Sequence, residues 1–322
     1  MKPKIFIDGE AGTTGLQIRD LLAEDAQLEL LQIDVAERKN PDVKKALMAE
    51  ADLLVLCLHD DAARESVSMA EALPLEQQPR IIDASSAHRT ASDWVYGFAE
   101  LEPSKAQAIR DAKRLSNPGC HASGAIALLA PLLKSGILPP DFPLSIHSVS
   151  GYSGGGRSMI EAYEQSRAPL FELYGLALKH KHVPEIMMHA GLSRRPIFVP
   201  SVGNFRQGML VSIPLHLDEL PGRPGLAALE SCYRTHYDNE RFKALGLESA
   251  VEFVAATEDC RIDALATNGS NRMEIRVYGH REHRQAVLVA RFDNLGKGAS
   301  RAAVQNIRMM LGREHIDRPS GP

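Results

Sequence analysis

The sequence is short of the features that mark secreted, membrane-spanning and nucleic-acid-binding proteins. Only 4 of its 322 residues are cysteine and none follow a C-x-x-C spacing, which excludes a disulfide framework and a zinc ribbon. Its apolar runs fall well short of the roughly 18 residues that a transmembrane helix needs. The formal net charge of −4 gives no long-range attraction for phosphates or anionic lipids. We therefore expect a reduced, cytoplasmic protein with no nucleic-acid or membrane partner.

Apolar and charged residues make up 44% and 24% of the chain, which is typical of a globular protein. A length of 322 residues favours about two domains. In the first half, short apolar segments such as Lys4–Asp8 and Asp52–Leu58 alternate with segments of helical periodicity such as Thr14–Glu24. This α/β alternation predicts βαβ units and a parallel, doubly wound sheet of the Rossmann type.

The later part of the chain has a different period. Leu210–Leu217 and Arg272–Tyr278 alternate apolar and polar residues, and Gln285–Phe292 follows after a short polar turn. This pattern predicts an antiparallel sheet with one face under helices, hence an α+β second domain. We expect the other, polar face to be available as a subunit interface. A last helix is predicted at Lys297–Leu311.

A glycine-rich turn, G-E-A-G-T-T-G, follows the first strand and begins the first helix. Its glycines are Gly9, Gly12 and Gly15. Glycine permits a tight turn that a pyrophosphate can approach, and the helix N-terminus offers N–H groups to it. The spacing is a variant of G-x-G-x-x-G. We interpret it as a dinucleotide site, with a plain βα turn as the alternative.

The residues after the second strand bear on which dinucleotide binds. Asp34 lies 22 residues after Gly12, where an acid would bond the adenosine ribose of NAD. Arg38 and Lys39 follow closely and suit the 2′-phosphate of NADP. The residues alone leave NAD and NADP open.

The strongest catalytic candidate is the cysteine of Ser116–Cys120, an S-N-P-G-C turn that leads into an apolar helix. Cys120 would lie at the helix N-terminus, where the dipole favours a thiolate over a thiol. A thiolate can attack an acyl carbon while N–H groups hold the developing oxyanion. Cys57, Cys232 and Cys260 are interpreted as structural or loop cysteines.

A histidine-rich segment supplies candidates for proton transfer. His182 lies just before a short helix, where the dipole disfavours the imidazolium and keeps a neutral base available. His180 is its rival. His182, Glu185 and His189 also have a spacing compatible with a metal site, but no H-E-x-x-H motif is present, and we expect no metal.

Several motifs together carry a resemblance that runs through nearly the whole chain. The sequence resembles the shorter form (type 2) of the N-acetyl-γ-glutamyl-phosphate reductases, oxidoreductases of arginine biosynthesis. The matching stretches are residues 5–15 (IFIDGEAGTTG), 83–89 (DASSAHR), 94–97 (WVYG), 116–120 (SNPGC), 148–156 (SVSGYSGGG), 179–185 (KHKHVPE), 202–209 (VGNFRQGM), 293–300 (DNLGKGAS) and 303–306 (AVQN).

The resemblance implies a fold like that of aspartate-semialdehyde dehydrogenase and a last helix that returns to the first domain. It implies a dinucleotide-binding domain of residues 1–117 with 296–322, and a catalytic and oligomerisation domain of residues 118–295. It also implies NADP(H) as cofactor, a small acyl-phosphate substrate, and assembly into a homodimer or homotetramer. Whether the substrate carries an acetyl group or a carrier protein stays open.

By the same resemblance, Cys120 is the nucleophile that forms a thioester and His182 is the acid/base. Arg89 and Asn117 would bind the acyl phosphate. The dinucleotide-binding residues would be Gly9, Gly12, Thr13, Thr14, Gly15, Arg38, Ser85 and Asn294. One departure concerns the helix after the nucleophile, where we expect Tyr-Pro-Thr-Gly and find His121-Ala-Ser-Gly. His121 places a second ionisable ring beside the thiol.

Three alternative functions are consistent with parts of the sequence. A sister enzyme acting on aspartyl phosphate would share the cysteine chemistry. Gly151–Gly155 matches the G-x-S-x-G of a serine hydrolase, with Ser153 as nucleophile. A dinucleotide sensor without catalysis would keep the glycine turn and have an unreactive Cys120.

Overall fold

The structure is a computed structural model that describes residues 2–313. It divides into two compact units. Unit 1 comprises Met1–Asn117, Glu240–Glu248 and Ala302–Pro322, and unit 2 comprises Pro118–Asn239 and Ser249–Arg301. The division predicted from the sequence differs at two places. It returns the chain to the first domain at residue 296 instead of 302, and it assigns residues 240–248 to the second domain. Its last stretch, residues 314–322, lies outside the described residues.

The secondary structure of the described residues has the following bounds. The strands are β1 (Lys4–Asp8), β2 (Glu29–Leu31), β3 (Leu53–Leu56), β4 (Arg80–Asp83), β5 (Val95–Tyr96), β6 (Arg114–Ser116), β7 (Ser145–Gly151), β8 (Phe171–Leu173), β9 (Ile197–Gly203), β10 (Met209–His216), β11 (Val251–Phe253), β12 (Met273–His280) and β13 (Gln285–Phe292). The helices are α1 (Thr13–Ala23), α2 (Pro41–Glu50), α3 (Asp60–Glu71), α4 (Pro103–Asp111), α5 (Cys120–Lys134), α6 (Gly156–Glu164), α7 (His182–Ala190), α8 (Leu226–His236), α9 (Asn239–Lys243) and α10 (Arg301–Met310).

Unit 1 is built on a parallel sheet with the strand order β2-β1-β3-β4-β6-β5. Strand β3 is buried along its whole length. Its side chains alternate between two apolar clusters, Leu53 and Val55 in one and Leu54 and Leu56 in the other, because successive residues of a strand point to opposite faces. A sheet covered on both faces is the predicted doubly wound architecture.

The last helix, α10, packs into the core of unit 1 with Ala303, Ile307 and Met310, as the resemblance implied. The predicted helix began earlier, at Lys297. The structure instead has a π-helical turn at Gly296–Ser300 before α10. A Cβ at Gly296 would lie 2.8 Å from the Cβ of Asp293, so a glycine is needed for this close approach.

Unit 2 is built on a second sheet with the order β11-β12-β13-β10-β7-β9-β8. The long alternating strands β10, β12 and β13 pair antiparallel, as predicted. The expectation of a purely antiparallel sheet is wrong at two places, since β7–β9 and β11–β12 are parallel. Helix α5 packs on the apolar face, where the Tyr233 hydroxyl of α8 donates to the Leu128 carbonyl of α5 (2.6 Å).

The polar face of this sheet carries a buried ion network. Arg276 and Arg291 both donate to the Glu274 carboxylate, at 2.9 and 2.6 Å. Burial opposes ionisation, yet these two hydrogen bonds keep the pKa of Glu274 below its ordinary value. Arg276 also donates to the Ala255 carbonyl and Arg291 to the Asp263 carbonyl, both in the loop between β11 and β12. This part of the face predicted as a subunit interface is therefore covered by the chain itself.

Between residues 2 and 313, no helix is both long enough and apolar enough to cross a bilayer.

Candidate active site

Helix α5 begins at Cys120, with Gly119 as its N-cap and no side chain capping it. The helix is apolar and buried over nearly all its length, so the thiol is carried on a rigid element. Helix α7 holds the turn before Cys120 in place, because its buried Glu185 carboxylate accepts a hydrogen bond from the Gly119 N–H at 2.8 Å. The structure therefore places Cys120 where the sequence predicted it, at a helix N-terminus.

Two further groups lie close to the nucleophile. A Cβ on Gly298 would lie 3.0 Å from the Cβ of Cys120, so the π-helical turn approaches the cysteine through a glycine. The pKa of the Tyr174 hydroxyl is raised, first by burial and then by the charge of Cys120. By contrast, burial raises the pKa of Cys57 to about 12, which keeps that thiol protonated and suits its structural interpretation.

Three histidine rings cluster around His121, the residue that follows Cys120 in the chain. The ring centroids of His121 lie 5.5 Å from those of His180 and 5.6 Å from those of His182, and His180 and His182 are 4.8 Å apart. Phe198 lies edge-on to two of them. Burial lowers the pKa of His121 to about 3 and that of His180 to about 4. These two rings are therefore neutral at physiological pH.

His121 is bonded at both ring nitrogens. Its Nδ1 lies 2.7 Å from the Ser148 hydroxyl of β7, and its Nε2 lies 2.8 Å from the Tyr174 hydroxyl. Neither Ser148 nor Tyr174 was predicted as a site residue. Tyr174 lies outside the family motifs, and Ser148, although it begins the matching stretch 148–156, reaches His121 only through the fold.

The two candidate bases differ in their surroundings. The backbone N–H of His182 donates to Nδ1 of His180 at 3.2 Å, so the neutral ring of His180 carries its proton on Nε2. His182 is buried and is the first residue of α7, one position inside the predicted boundary. The centroids of both rings lie within 5.6 Å of the ring centroid of His121, the residue that follows Cys120, and the sequence-based choice between them stays a prediction.

His182, Glu185 and His189, whose spacing is compatible with a metal site, all lie on α7. The Glu185 carboxylate is used by the N–H of Gly119. Over residues 2–313, no group of three or more histidine, cysteine, aspartate or glutamate side chains is arranged to hold a metal ion.

In unit 1, the glycine turn has the geometry that close approach requires. Gly9 has φ of +91°, and a Cβ there would lie 2.4 Å from the Cys57 carbonyl oxygen. A Cβ on Gly15 would lie 2.6 Å from the Gly9 oxygen. Gly12 caps α1 without a side-chain bond, and the first N–H groups of a helix, here from Thr13 onwards, have no partner within it.

A cavity of about 390 Å³ adjoins this turn in unit 1. Its charged lining residues are Glu10, Arg19, Asp34 and Arg38. Arg38 donates to the Glu10 carboxylate at 2.7 Å. Of the three residues that the sequence proposed for cofactor choice, Asp34 and Arg38 line this cavity, and Lys39 is not part of its lining. The cavity has the positive groups that a 2′-phosphate needs and the acid that a ribose hydroxyl needs.

The other predicted residues of unit 1 lie in a buried network. The Ser85 hydroxyl donates to Asp83 at 2.8 Å. Arg89 donates its Nε to the Asn117 carbonyl at 3.0 Å, and the Asn117 side-chain oxygen accepts from Asn306 at 3.0 Å. Arg89 and Asn117 are thus in direct contact, and some of their hydrogen-bonding groups are already paired within the protein.

Asn294 and Ser153 are brought together in unit 2. The Asn294 amide donates to the Ser153 hydroxyl at 2.9 Å and accepts the N–H of Gly208 at 2.9 Å. Ser153 is buried in a short 3-10 turn, and α6 begins only at Gly156. A hydrolase elbow presents an exposed hydroxyl at the start of its helix, so this geometry does not favour a serine nucleophile.

Comparison with known proteins agrees with the two-unit architecture. Residues 4–109 match the family described as semialdehyde dehydrogenase, NAD binding domain, and residues 120–294 match semialdehyde dehydrogenase, dimerisation domain. N-acetyl-gamma-glutamyl-phosphate reductase 2 of Pseudomonas putida is 50% identical over 313 residues, which cover 96% of this chain and 97% of that protein. N-acetyl-gamma-glutamyl-phosphate reductase of Brucella ovis is 49% identical, over 97% of this chain and 100% of that protein.

The chain belongs to the N-acetyl-gamma-glutamyl-phosphate reductase family. Solved structures show the fold of this reductase family member to be that of aspartate semialdehyde dehydrogenases, which confirms the predicted fold class. The Vibrio cholerae aspartate semialdehyde dehydrogenase II complexed with ASA has a TM-score of 0.71 at 14% identity, over 98% of this chain and all of that one. The Candida albicans enzyme with NADP has a TM-score of 0.65 at 12% identity, with the same coverage.

Proposed function

We propose that this reductase converts N-acetyl-L-glutamyl 5-phosphate and NADPH to N-acetyl-L-glutamate 5-semialdehyde, phosphate and NADP, as a step of arginine biosynthesis. The observation that carries the proposal is Cys120 at the start of a buried helix, followed by the neutral imidazole of His121, against which His180 and His182 pack. The near-full-length identity of about 50% to reductases of that name supports the substrate.

Cys120 would act as the nucleophile. Its thiolate attacks the carbonyl carbon of the acyl phosphate, a C–S bond forms, the C–O bond to phosphate breaks, and phosphate leaves with the bonding electrons. The N–H groups at the start of α5 stabilise the thiolate and the oxyanion. The thioester is then reduced, the C–S bond breaks, and the thiolate is regenerated as the aldehyde departs.

His182 is our candidate for the acid/base that takes the proton from the Cys120 thiol before the attack and returns it to the thiolate when the aldehyde departs. An imidazole acts as a base only in its neutral form. Burial lowers the pKa of the neighbouring His180 to about 4, so that ring places no positive charge next to His182. His121 is unsuited to the task because both its ring nitrogens are hydrogen-bonded. His180→Asn and His182→Asn separate the two remaining candidates: loss of the chemical step should follow the second variant.

The residues of unit 1 fit a dinucleotide. The turn of Gly9, Gly12 and Gly15, with the N–H groups of Thr13 and Thr14, would hold the pyrophosphate. Arg38, which lines the adjoining cavity, would contact the 2′-phosphate. When bound, NADPH supplies the hydride for the reduction.

Other contacts complete the proposal. Ser85 and Asn294 are further candidates for the cofactor. Arg89 and Asn117, which bond each other, are candidates for the departing phosphate. We also propose a homodimer or homotetramer, supported by the match to a dimerisation domain, and a cytoplasmic location, where reducing conditions preserve a catalytic thiol.

The deciding assay is the reverse reaction, phosphate-dependent reduction of NADP by N-acetylglutamate semialdehyde, with aspartate semialdehyde run in parallel. We expect NADPH to form with the acetylated aldehyde and only when phosphate is present. Activity with the aspartyl aldehyde alone would overturn the substrate assignment, and activity without phosphate would overturn acyl-phosphate chemistry.

Cys120→Ala tests the nucleophile, with Cys232→Ala as the matched control on α8. Turnover should disappear only in the first variant, while NADPH binding, measured by fluorescence titration, is retained in both. Substantial turnover by Cys120→Ala would exclude the thioester.

A further inference from the structure

The glycine-rich turn of unit 1 carries one charged side chain, that of Glu10. The backbone of Glu10 passes close to helix α1, because a Cβ on Gly15 would lie 2.8 Å from the Glu10 Cα. The Glu10 side chain lines the cavity beside the turn and is only 15% exposed. Glu10 therefore connects the turn proposed for the pyrophosphate with Arg38, the residue proposed for the 2′-phosphate.

The contact between Glu10 and Arg38 uses only part of the arginine. Nη2 of Arg38 donates to Oε1 of Glu10 at 2.7 Å, and the same two atoms form the ion pair. Nε of Arg38 is buried and has no hydrogen-bond partner within residues 2–313. A guanidinium binds an anion most strongly when two of its N–H groups donate to two oxygens. The pair with Glu10 thus leaves donor capacity of Arg38 unused.

The charges that line the cavity cancel. Arg19 and Arg38 contribute two positive charges, and Glu10 and Asp34 contribute two negative ones. Glu10 also acts on Arg19, whose pKa is raised first by its hydrogen bond to Asp20 and, in smaller part, by the charge of Glu10. A dianionic 2′-phosphate gains little Coulomb energy from lining groups of zero net charge. It gains more when it replaces Glu10 as the partner of Arg38.

We propose that Glu10 is a specificity-determining residue, whose carboxylate competes with the 2′-phosphate of NADP(H) for Arg38. Binding exchanges one hydrogen bond to a carboxylate for contacts with a phosphate, which offers three acceptor oxygens. This role of Glu10 rests on the contact between Arg38 and the 2′-phosphate proposed above. It adds an internal competitor to that contact, which narrows the preference for NADP(H) over NAD(H) and speeds release of the oxidised cofactor.

The opposite role for Glu10 makes a different prediction. A carboxylate that only held Arg38 in position for the phosphate would assist binding, and its removal would weaken binding. The single hydrogen bond and the unused Nε favour competition, because they show that Arg38 is not fully engaged by Glu10. A carboxylate carried by the phosphate-binding turn also repels a bound phosphate.

The test compares two ligands that differ only in the 2′-phosphate, 2′,5′-ADP and 5′-AMP, by titration calorimetry at constant ionic strength. Glu10→Gln keeps the size of the side chain and removes its charge. We expect this variant to bind 2′,5′-ADP about three- to tenfold more tightly, the value of an exposed ion pair plus the repulsion of a dianion, and to change 5′-AMP binding less. Unchanged or weaker binding of 2′,5′-ADP by Glu10→Gln would refute the competition.

Glu37→Gln is the matched control, because it removes the same charge from the residue that precedes Arg38. The Glu37 carboxylate accepts a hydrogen bond from Asn40 at 2.7 Å, whereas Arg38 donates to Glu10. We expect Glu37→Gln to bind both ligands as the wild type does. Equal tightening by Glu10→Gln and Glu37→Gln would mean that the ligand responds to net charge alone, and the specific role of Glu10 would be wrong.

A double-mutant cycle assigns the effect to Arg38. If the carboxylate and the phosphate compete for this guanidinium, Glu10→Gln should tighten 2′,5′-ADP clearly less in an Arg38→Leu background than in the wild type. What remains there is the direct repulsion between carboxylate and phosphate. An effect of the same size in both backgrounds would contradict competition for Arg38.

The outcomes separate this role from the contact and the reaction proposed above. If Arg38→Leu weakens both ligands equally, the 2′-phosphate contact is wrong, and the role of Glu10 is wrong with it. If Arg38→Leu weakens 2′,5′-ADP alone while Glu10→Gln changes nothing, the contact stands and only the competition is refuted. Neither result bears on the acyl-phosphate reaction, which the phosphate-dependent reverse assay tests separately.

Discussion

Replacing His121 by glutamine should make unit 2 less sensitive to acid. In the folded chain, burial lowers the pKa of His121 to about 3, whereas an unfolded histidine titrates near 6.5. Between these values the unfolded state binds a proton that the folded state does not. The stability that His121 contributes is therefore present above pH 6.5 and is lost as the pH falls toward 3.

The size of the effect follows from proton linkage. At pH 5 an imidazole of ordinary pKa is nearly fully protonated, while His121 is still neutral, so the wild type loses about 2 kcal/mol between pH 7 and pH 5 through this residue. The loss is insensitive to the exact folded pKa as long as that value lies well below 5. His180 acts in the same window, but it is present in both proteins and cancels in their difference.

The substitution also removes the ring that bonds Ser148 and Tyr174, which should cost about 1–3 kcal/mol at pH 7. Urea unfolding followed by circular dichroism at pH 7, 6 and 5 should show the free-energy difference between wild type and His121→Gln shrinking by about 2 kcal/mol. His147→Gln, at an exposed position of β7, is the control and should follow the wild type. Parallel curves for wild type and His121→Gln would refute the reasoning.

Two further predictions concern cofactor choice and the nucleophile turn. Arg38→Leu should weaken binding of 2′,5′-ADP by about tenfold or more, the value of a lost charged hydrogen bond, while 5′-AMP binding changes little, as calorimetry would record. Glu185→Ala removes the acceptor for the Gly119 N–H, so it should lower kcat more than it raises KM and destabilise the fold by about 1–3 kcal/mol.

The Arg38 and Glu185 predictions each have an internal control. Equal weakening of both nucleotides by Arg38→Leu would mean that the side chain does not read the 2′-phosphate. Glu185→Gln keeps an acceptor oxygen and should restore most of the activity. If the alanine and glutamine variants are equally impaired, the carboxylate does not act by holding the turn.

Local patterns were enough to predict much of unit 1. Strand β3 is apolar over its whole length and β1 is apolar between its two charged end residues. The glycine turn needs backbone conformations that depend on its own glycines. The alternation of strands and helices leaves few topologies, because crossover connections are right-handed. The fold class of unit 1 was therefore predicted correctly from these patterns, and the family was predicted correctly from the resemblance of the motifs.

The pairing of distant segments was harder to predict from the sequence. The parallel pairs β7–β9 and β11–β12 were not predicted, because period-two alternation identifies a strand face and carries no information on the direction of its neighbour. The sequence predicted that the polar face of the same sheet is available as a subunit interface. In the structure, the loop before β12 covers part of this face, and Arg276 and Arg291 of the sheet bond Glu274.

The sequence by itself determined the chemistry that the chain can carry: a cysteine at the start of an apolar helix, a glycine turn for a dinucleotide, and histidines within reach of a helix N-terminus. Only the tertiary structure decided the state of those groups. His121 is held neutral by burial, and Tyr174 reaches it from a position just after β8, 53 residues further along the chain. Glu185 accepts a hydrogen bond from the turn before Cys120. Hydrogen-bond partners and burial depend on which distant segments pack together, and no local pattern records them.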